Sequence, residues 1–298
     1  SCAAVYRSVG NSKISMYVSL IMNAINVVGN GILIFVFHRG VEGVAIPTLV
    51  SRIFAAAAML VLLRRPGLPI QVERFTFRHD RFVVKNILHF GVPNGIEGSM
   101  FQLGKILLLS TVSVLGTASV AANAIGNTLA SFQVVPGTAL GLAIVTVVSR
   151  CVGASEYDRA RYYTKKMMRT AYLYTVLVIA LILACLPLIL KLYNVSDQAR
   201  EWATQILWMH GLCGILIWPL AFTLPQALRA AGDTRFTMVA STVSMWTLRV
   251  GLGVLLGRYW GFGVLGIWMA MFADWALRAA LFVPRFHGHK WETMGLEN

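Results

Sequence analysis

The chain carries little charge, and acidic residues are the scarcest of its charged groups. Asp, Glu, Lys and Arg together make up 13% of its 298 residues, with 12 acids against 26 bases. A soluble globular domain has about a quarter of its residues charged. Because hydrophobic residues make up 57% of the sequence, a soluble enzyme or a soluble nucleic-acid-binding domain is a poor match to this composition.

Motifs for common catalytic and metal chemistry are also missing. The sequence has no glycine loop followed by Lys-Ser or Lys-Thr for ATP phosphates, no His-x-x-x-His helix for zinc and no nucleophile elbow. Its four cysteines show neither metal-ligand spacing nor a paired framework. We therefore expect no enzymatic activity, no cofactor, no bound metal and no disulfide bond.

What the sequence does have is long apolar runs along its whole length. At 1.5 Å per residue, about 20 residues cross a hydrocarbon core about 30 Å thick. Eight runs are long enough, at residues 14–37, 41–64, 85–114, 118–149, 168–193, 203–229, 236–256 and 262–284. We predict an all-α polytopic membrane protein with about eight transmembrane helices. The third and fourth runs are longer than a bilayer needs and contain Pro93 and Pro136, and we expect kinks there.

The basic surplus is concentrated in the connections on one side of these spans. The connections after the second and fourth spans hold most of it: Arg64, Arg65, Arg74, Arg78, Arg81, Lys85, Arg150, Arg159, Arg161, Lys165, Lys166 and Arg169. The positive-inside rule places this side, and both chain ends, in the cytoplasm, with the protein in the inner cell membrane. Membrane lipids, rather than nucleic acid, are the expected partners of these bases.

A polar turn occurs twice, 222 residues apart. VYRSVGNSK at residues 5–13 and ALRAAGDTR at 227–235 share an arginine, a glycine and a polar pair before a base. Gly10 and Gly232 can end a helix in the left-handed conformation, and the following Asn or Asp can cap the next helix. The motif therefore predicts a structural hinge, with ligand binding as the alternative.

The repeat also predicts the domain organisation. Both copies begin on the predicted cytoplasmic side, so the repeat is parallel, and six spans separate equivalent points. Residues 1–66 are then the last two helices of a first lobe, 67–84 a cytoplasmic inter-lobe linker, and 85–298 a complete second six-helix lobe with a short cytoplasmic tail. The missing N-terminal helices of the same protein, four spans, are an expected partner.

These motifs resemble the multidrug and toxic compound extrusion (MATE) family. The two turns are similar to the family's signatures after spans four and ten. FGVPNGIEGSMFQLGKILL resembles the start of span seven, LGTASVAANAIGN resembles span eight, and RFHGHKW resembles the end of span twelve. On this map the chain holds spans five to twelve.

The resemblance implies an antiporter that exports small molecules, drugs or organic and often cationic metabolites, by alternating access. It implies H⁺ or Na⁺ as the coupling ion. Some members carry an acidic residue in span ten, where this chain has Trp218 and no carboxylate, which argues against Na⁺ coupling through that arrangement. Two alternatives are a flippase for lipid-linked sugars and a truncated, non-transporting membrane protein.

Glu97 is the candidate for proton or cation coupling. It lies 12 residues after Lys85, about 18 Å along the span at helical rise. It also follows Pro93-Asn94-Gly95, which should interrupt the backbone hydrogen bonds. A carboxylate at this depth needs a partner, a proton or a cation. The alternative is a structural ion pair, with Arg249 as the first partner to consider.

Amides on the third and fourth spans supply candidates for a substrate cavity. They are Asn94, Gln102, Asn123, Asn127 and Gln133. Interhelical hydrogen bonding is the alternative use of such residues. On the last span Asp274 and Arg278 are four residues apart and share a helix face. Together with Arg249 they are candidates for a structural ion pair.

Overall fold

In the computed structural model the chain folds into helices that form two compact units. The structure describes residues 2–8, 10–64 and 80–293. The units are Ser1–His79 and Asp80–Asn298. Most of the predicted linker, 67–84, lies outside the described residues. Its described end begins at Asp80, whose carboxylate caps the first helix of the second unit by accepting the N–H of Phe82 at 2.9 Å.

The first unit is a helical hairpin preceded by one short helix. Its elements are α1 (Cys2–Ser8), α2 (Ser12–Gly31), a π-helical extension (Ile32–Val36) and α3 (Val41–Leu63). Tyr6, Val18, Met59 and Leu63 form a small buried core. Asn26 donates a hydrogen bond to the Thr48 hydroxyl at 3.0 Å, which joins α2 to α3 by a polar contact of the kind expected between membrane helices.

Residues 80–293, the described part of the second unit, hold nine further α-helices. They are α4 (Arg81–Ser113), α5 (Thr117–Gln133), α6 (Val135–Gly153), α7 (Tyr157–Leu192), α8 (Asp197–Leu216), α9 (Pro225–Ala230), α10 (Thr234–Ser244), α11 (Gly263–His287) and α12 (Lys290–Thr293). Segments with π-helical hydrogen bonding lie at Pro219–Thr223, Met245–Leu252 and Leu255–Tyr259.

The prolines act differently from one span to the next. Near Pro136 the predicted span 118–149 divides into α5 and α6 at Val134. The predicted span 203–229 is also broken, because α8 and the segment from Pro219 to Ala230 meet at 61°. By contrast α4 continues as one helix through Pro93, so the helix itself does not end at Pro93-Asn94-Gly95. A proline inside a helix removes one N–H donor, and α4 tolerates that loss.

Six described helical segments are long and apolar enough to cross a membrane, and a seventh if the bent pair counts as one span. An all-α polytopic membrane fold is therefore confirmed, whereas the number eight stays a prediction. The predicted third span, now α4, and the shorter α5 are not among the six. α5 is only 17 residues long, which is short for a span, and α4 carries polar residues along its length, such as Asn94 and Glu97.

The two glycine turns have the same backbone hydrogen bonds. Gly10 and Gly232 have φ of 89° and 99°. Each donates its N–H to the carbonyl three residues earlier, and the next residue donates to the carbonyl five residues earlier, at 2.9–3.1 Å. This is the double hydrogen bond of a Schellman motif. Neither Asn11 nor Asp233 caps the following helix with its side chain, so the expected cap is wrong.

Candidate functional site

A cavity of about 380 Å³ lies inside the second unit. Its walls come from α4, α5, the π-helical segment Met245–Leu252 and α11. Five polar side chains line it together with an apolar wall that includes Trp268 and Met271; the polar ones are Gln102, Lys105, Asn123, Asn127 and Arg249. The volume falls within the range of small-molecule sites, about 300–1,000 Å³.

The amides on α5 are held in place by hydrogen bonds. Asn123 is buried, and its Oδ1 accepts the indole N–H of Trp268 at 3.1 Å. One turn later the Asn127 amide donates to the backbone carbonyl of Asn123 at 2.8 Å. The bond to Trp268 connects α5 with α11, which fixes two walls of the cavity. Asn123 therefore serves both of the uses considered from the sequence, since it bonds between helices and also lines the cavity.

Arg249 reaches the cavity from a stretch of π-helical backbone. Such segments add a residue per turn and re-aim the side chains around them, often at functional sites. Arg249 Nη2 lies 3.0 Å from the sulfur of Met271, and Nη1 lies 3.8 Å from Asp274 Oδ2. The Nε of Arg249 is buried without a hydrogen-bond partner among the described residues.

Asp274 lies directly behind Arg249 and is fully buried. Its Oδ1 accepts hydrogen bonds from Arg278 Nε at 2.8 Å and from the Ser244 hydroxyl at 2.5 Å. Arg278 also donates to the carbonyl of Ser241 at 3.0 Å. The predicted grouping of Asp274, Arg278 and Arg249 is thus present as one network, in which Arg278 makes the close contact.

Glu97 forms its ion pair with Arg229. The distance between Oε1 and Nη2 is 2.5 Å, and both side chains are mostly buried, with 15% and 18% of their surface exposed. Arg249, the partner considered from the sequence, belongs to the Asp274 network instead. Since Arg229 lies only three residues before Gly232, Glu97 lies closer to that turn than the count from Lys85 indicates.

A second ion pair anchors the same turn. Asp233 is buried, and its carboxylate accepts two hydrogen bonds from Arg285, at 2.6 and 3.2 Å. The pair joins the start of α10 to the end of α11, while the pair of Glu97 and Arg229 joins α4 to α9. The repeated turn in the second unit is therefore a charged junction of four helices.

Two of the predicted cavity residues lie elsewhere. Gln133 is fully buried, and its Oε1 is 2.5 Å from Nδ1 of the buried His210. This contact joins α5 to α8 away from the cavity lining. Asn94 donates back to the carbonyl of Phe90 on its own helix at 2.8 Å.

Sequence reasoning missed several of these partners. Neither Arg229 as a partner of Glu97 nor Lys105 as a cavity residue is among the sequence-based candidates. The signal that could have indicated Arg229 is the repeat itself, because an arginine in a recurring turn is placed by the fold. No comparable signal pointed to Lys105 or to the pairing of Asp233 with Arg285.

The comparisons with known proteins bear directly on this fold. The sequence model of the MatE family matches residues 93–255, which is more than half of the chain and includes most of the cavity wall. The chain belongs to the MatE family. The resemblance to the MATE family inferred from the sequence motifs is thereby confirmed.

Curated relatives of this MatE chain carry transporter names. The uncharacterized transporter YisQ of Bacillus subtilis (strain 168) is 26% identical over 303 residues, covering 99% of this chain and 65% of the relative. The probable multidrug resistance protein NorM of Thermotoga maritima is 25% identical over 294 residues, covering 97% of this chain and 63% of the relative. The MatE chain thus spans less than two thirds of the length of these relatives.

Solved structures share the fold of the MatE chain. The MATE transporter ClbM in complex with Rb⁺ matches 98% of this chain and 65% of its own, with a TM-score of 0.79 and 16% sequence identity. At that identity the match shows the fold alone. Among the residues that the structure describes, no group of three or more His, Cys, Asp or Glu side chains is arranged to hold a metal ion.

Proposed function

We propose that this chain is the larger part of an ion-coupled exporter of small organic molecules that works by alternating access. Support comes from its MatE membership, from the transporter names of its relatives and from its match to MATE folds. In this proposal the second unit is the second lobe of the exporter, and four further helices precede the chain. The protein spans the inner cell membrane, and both ends of the chain face the cytoplasm.

The ion pair of Glu97 and Arg229 is the observation that carries the coupling mechanism. It connects α4 with α9 next to the glycine turn. When Glu97 is ionised, its attraction to Arg229 holds α4 against this junction. Neutralising Glu97 removes the attraction and leaves a mostly buried guanidinium without its partner. The ion can therefore favour one arrangement of the helices over the other, which is the requirement for coupling.

A proton suits this pair better than Na⁺. A proton needs only one lone pair of the carboxylate, whereas a hard metal cation needs several oxygen ligands. A cation would also approach the positive charge of Arg229 at close range. We propose H⁺ as the coupling ion, taken up by Glu97 when its contact with Arg229 opens.

The test uses the full-length transporter in proteoliposomes with an imposed pH gradient. Glu97→Gln keeps the shape of the side chain but cannot titrate. We expect dye export to fall at least about tenfold and its pH dependence to flatten, with normal insertion. Glu42→Gln is the matched control, because Glu42 is an exposed glutamate that also pairs with an arginine. Wild-type export by Glu97→Gln, or a Na⁺ requirement in place of a pH gradient, would contradict the proposal.

A charge swap separates coupling from a structural role. Glu97→Arg combined with Arg229→Glu restores an ion pair between the same two helices. If the pair only holds the helices together, the double variant should regain the expression and export that the single variants Glu97→Arg and Arg229→Glu lose. If Glu97 is the proton carrier in its own place, the double variant should regain expression but not pH-dependent export.

A further inference from the structure

The cavity in the second unit has an excess of positive charge. Its lining includes Lys105 and Arg249, and none of its lining residues is an Asp or a Glu. Lys105 is exposed and lines the cavity, and its ammonium makes no hydrogen bond or ion pair with the described residues. This polarity is opposite to that of a site for organic cations.

The carboxylate behind the wall does not balance this charge. Asp274 faces two guanidinium groups, and a single negative charge cannot neutralise both. Arg278 makes the closer contact, 2.8 Å against 3.8 Å for Arg249. Arg249 uses Nη2 on a weak acceptor, the sulfur of Met271, and its Nη1 lies 3.8 Å from Asp274. Arg249 therefore keeps positive charge that Asp274 does not fully neutralise.

Three cationic side chains lie near one aromatic ring, that of Phe101. The centroid of the Phe101 ring lies 5.3 Å from Arg249, 5.9 Å from Arg278 and 6.0 Å from Lys105. A ring face attracts a cation only modestly. Three cations and one carboxylate in a mostly apolar environment leave two positive charges that an anion can neutralise.

We propose that this cavity binds an organic anion, with its acid group between Lys105 and Arg249. An Arg side chain suits a carboxylate, sulfonate or phosphate because its planar donors can bind two oxygens at once. Gln102 and Asn127 supply neutral polar contacts, and Trp268 and Met271 offer an apolar wall to the body of the molecule. The proposal rests on the proposed function and names the substrate class of the exporter.

Two dyes with the same ring skeleton test this preference. Fluorescein carries acidic groups, whereas a rhodamine ester of similar size is a cation. We would measure the anisotropy of each dye against purified full-length protein in detergent at fixed ionic strength. We expect fluorescein to bind about tenfold more tightly than the rhodamine, as a few screened charge contacts allow. Equal or tighter binding of the rhodamine would overturn the proposal.

Substitutions of Lys105 and Arg249 test whether these two residues cause the preference for fluorescein. Lys105→Gln should weaken fluorescein binding several-fold with little change in the melting temperature, since Lys105 is exposed and makes no hydrogen bond or ion pair with the described residues. Arg249→Gln should weaken it further. Arg39→Gln is the control, because Arg39 is an exposed arginine paired with Glu42 in the first unit. Unchanged fluorescein affinity in Lys105→Gln would overturn the proposal even if Arg249→Gln fails to fold.

The acid group can come from a free solute or from a lipid headgroup, and added lipid distinguishes them. Nanodiscs of phosphatidylcholine, with or without phosphatidylglycerol, would host the same binding assay. If phosphatidylglycerol displaces fluorescein from the wild-type protein, and this displacement is absent in Lys105→Gln, the bound anion is a lipid headgroup. Binding that is insensitive to this lipid identifies a soluble anion. Either result supports the anion site.

Failure of this inference can be told apart from failure of the exporter. Binding requires no transport, so the dye preference stands or falls independently of Glu97. If Glu97→Gln abolishes pH-dependent export but the dyes show no anion preference, the substrate class is wrong and the exporter is retained. If the preference holds but neither dye is exported under a pH gradient, the site is retained and the coupling is wrong.

Discussion

Two acidic side chains of the second unit pair with arginine in different ways. Glu97 has one arginine, Arg229, and both side chains keep 15–18% of their surface exposed next to a turn. Asp274 has no exposed surface, and two arginines and a serine surround it. The first pair is balanced in charge and keeps some exposed surface, whereas the second is fully buried and has surplus positive charge.

The difference distinguishes an ion pair that can open and close from a buried network that keeps the cavity wall positively charged. Opening the Glu97 site requires only that its one contact, with Arg229, break near the turn. Protonating Asp274 would leave two buried guanidinium groups without a counterion, which is strongly unfavourable. We therefore expect the contact of Glu97 with Arg229 to open during transport, and Asp274 to hold Arg249 at the cavity wall throughout.

The largest expected effect comes from removing the charge of Asp274. Asp274→Asn keeps the size of the side chain but leaves Arg278 and Arg249 buried without a carboxylate. Breaking a buried pair in this way costs about 3–5 kcal/mol. We expect most of the protein to be lost to aggregation or degradation, measured by fluorescence-detected size-exclusion chromatography, while Glu97→Gln keeps a normal elution profile.

An apolar replacement of both partners provides the control. Asp274→Leu with Arg278→Met removes the close pair, and replacing a buried pair by apolar residues is often tolerated. This double variant should recover part of the folded protein. If Asp274→Asn folds as well as Glu97→Gln, the prediction that burial and surplus charge make Asp274 more important for stability is contradicted.

An intermediate effect is expected at the turn that positions Arg229. Gly232 has a φ of 99°, and a Cβ there costs about 1–2 kcal/mol. Gly232→Ala should lower the melting temperature by several degrees and also alter the pH dependence of export. Gly10→Ala meets the same strain, with a φ of 89°, but should change only the melting temperature. An unaltered pH profile in Gly232→Ala would separate the turn from coupling.

The smallest effect is expected at a third acidic pair, outside the membrane-spanning segments. Glu292 pairs with Arg161, which also donates to the carbonyl of Gly288 at 2.8 Å and lies 5.2 Å from the Trp291 ring. Partial burial raises the pKa of Glu292, but hydrogen bonds from His289 and Arg161 outweigh it and leave the pKa below its usual range.

Because the pKa of Glu292 is lowered, its pairing stabilises the folded tail at higher pH and ceases to do so on acidification. A carboxyl with a lowered pKa stabilises the folded tail at pH values above its unfolded pKa, and this stabilisation disappears as the pH falls through the lowered value. We expect acidification below about pH 4 to loosen the tail by no more than about 1 kcal/mol. Limited proteolysis at the C-terminus should detect this, and Glu292→Gln should remove the pH dependence. Equal cleavage of wild type and variant at both pH values would contradict it.

Several features of the fold could be predicted from single stretches of sequence. The apolar runs predicted the helices, because the energy of burying a polar backbone in lipid leaves few alternatives. Gly10 and Gly232 predicted their left-handed turns, since glycine adopts that conformation without strain. The pairing of Asp274 with Arg278 followed from a spacing of four residues on one helix.

Contacts between distant helices could not be predicted in this way. Glu97 lies 132 residues from Arg229, and no local pattern distinguishes that arginine from Arg249 as a partner. The course of α4 through Pro93 and the 61° bend after α8 also depend on what packs around each proline.

The sequence by itself determined the class of this protein, a helical membrane protein with a repeated polar turn, because hydropathy and glycine geometry are properties of neighbouring residues. The tertiary structure alone decided which charges meet. Lys105 and Arg249 come from helices far apart in the chain, and their shared cavity exists only once α4, α5 and α11 have packed. Charge interactions depend on distance in space and on burial, and neither quantity is contained in the order of residues.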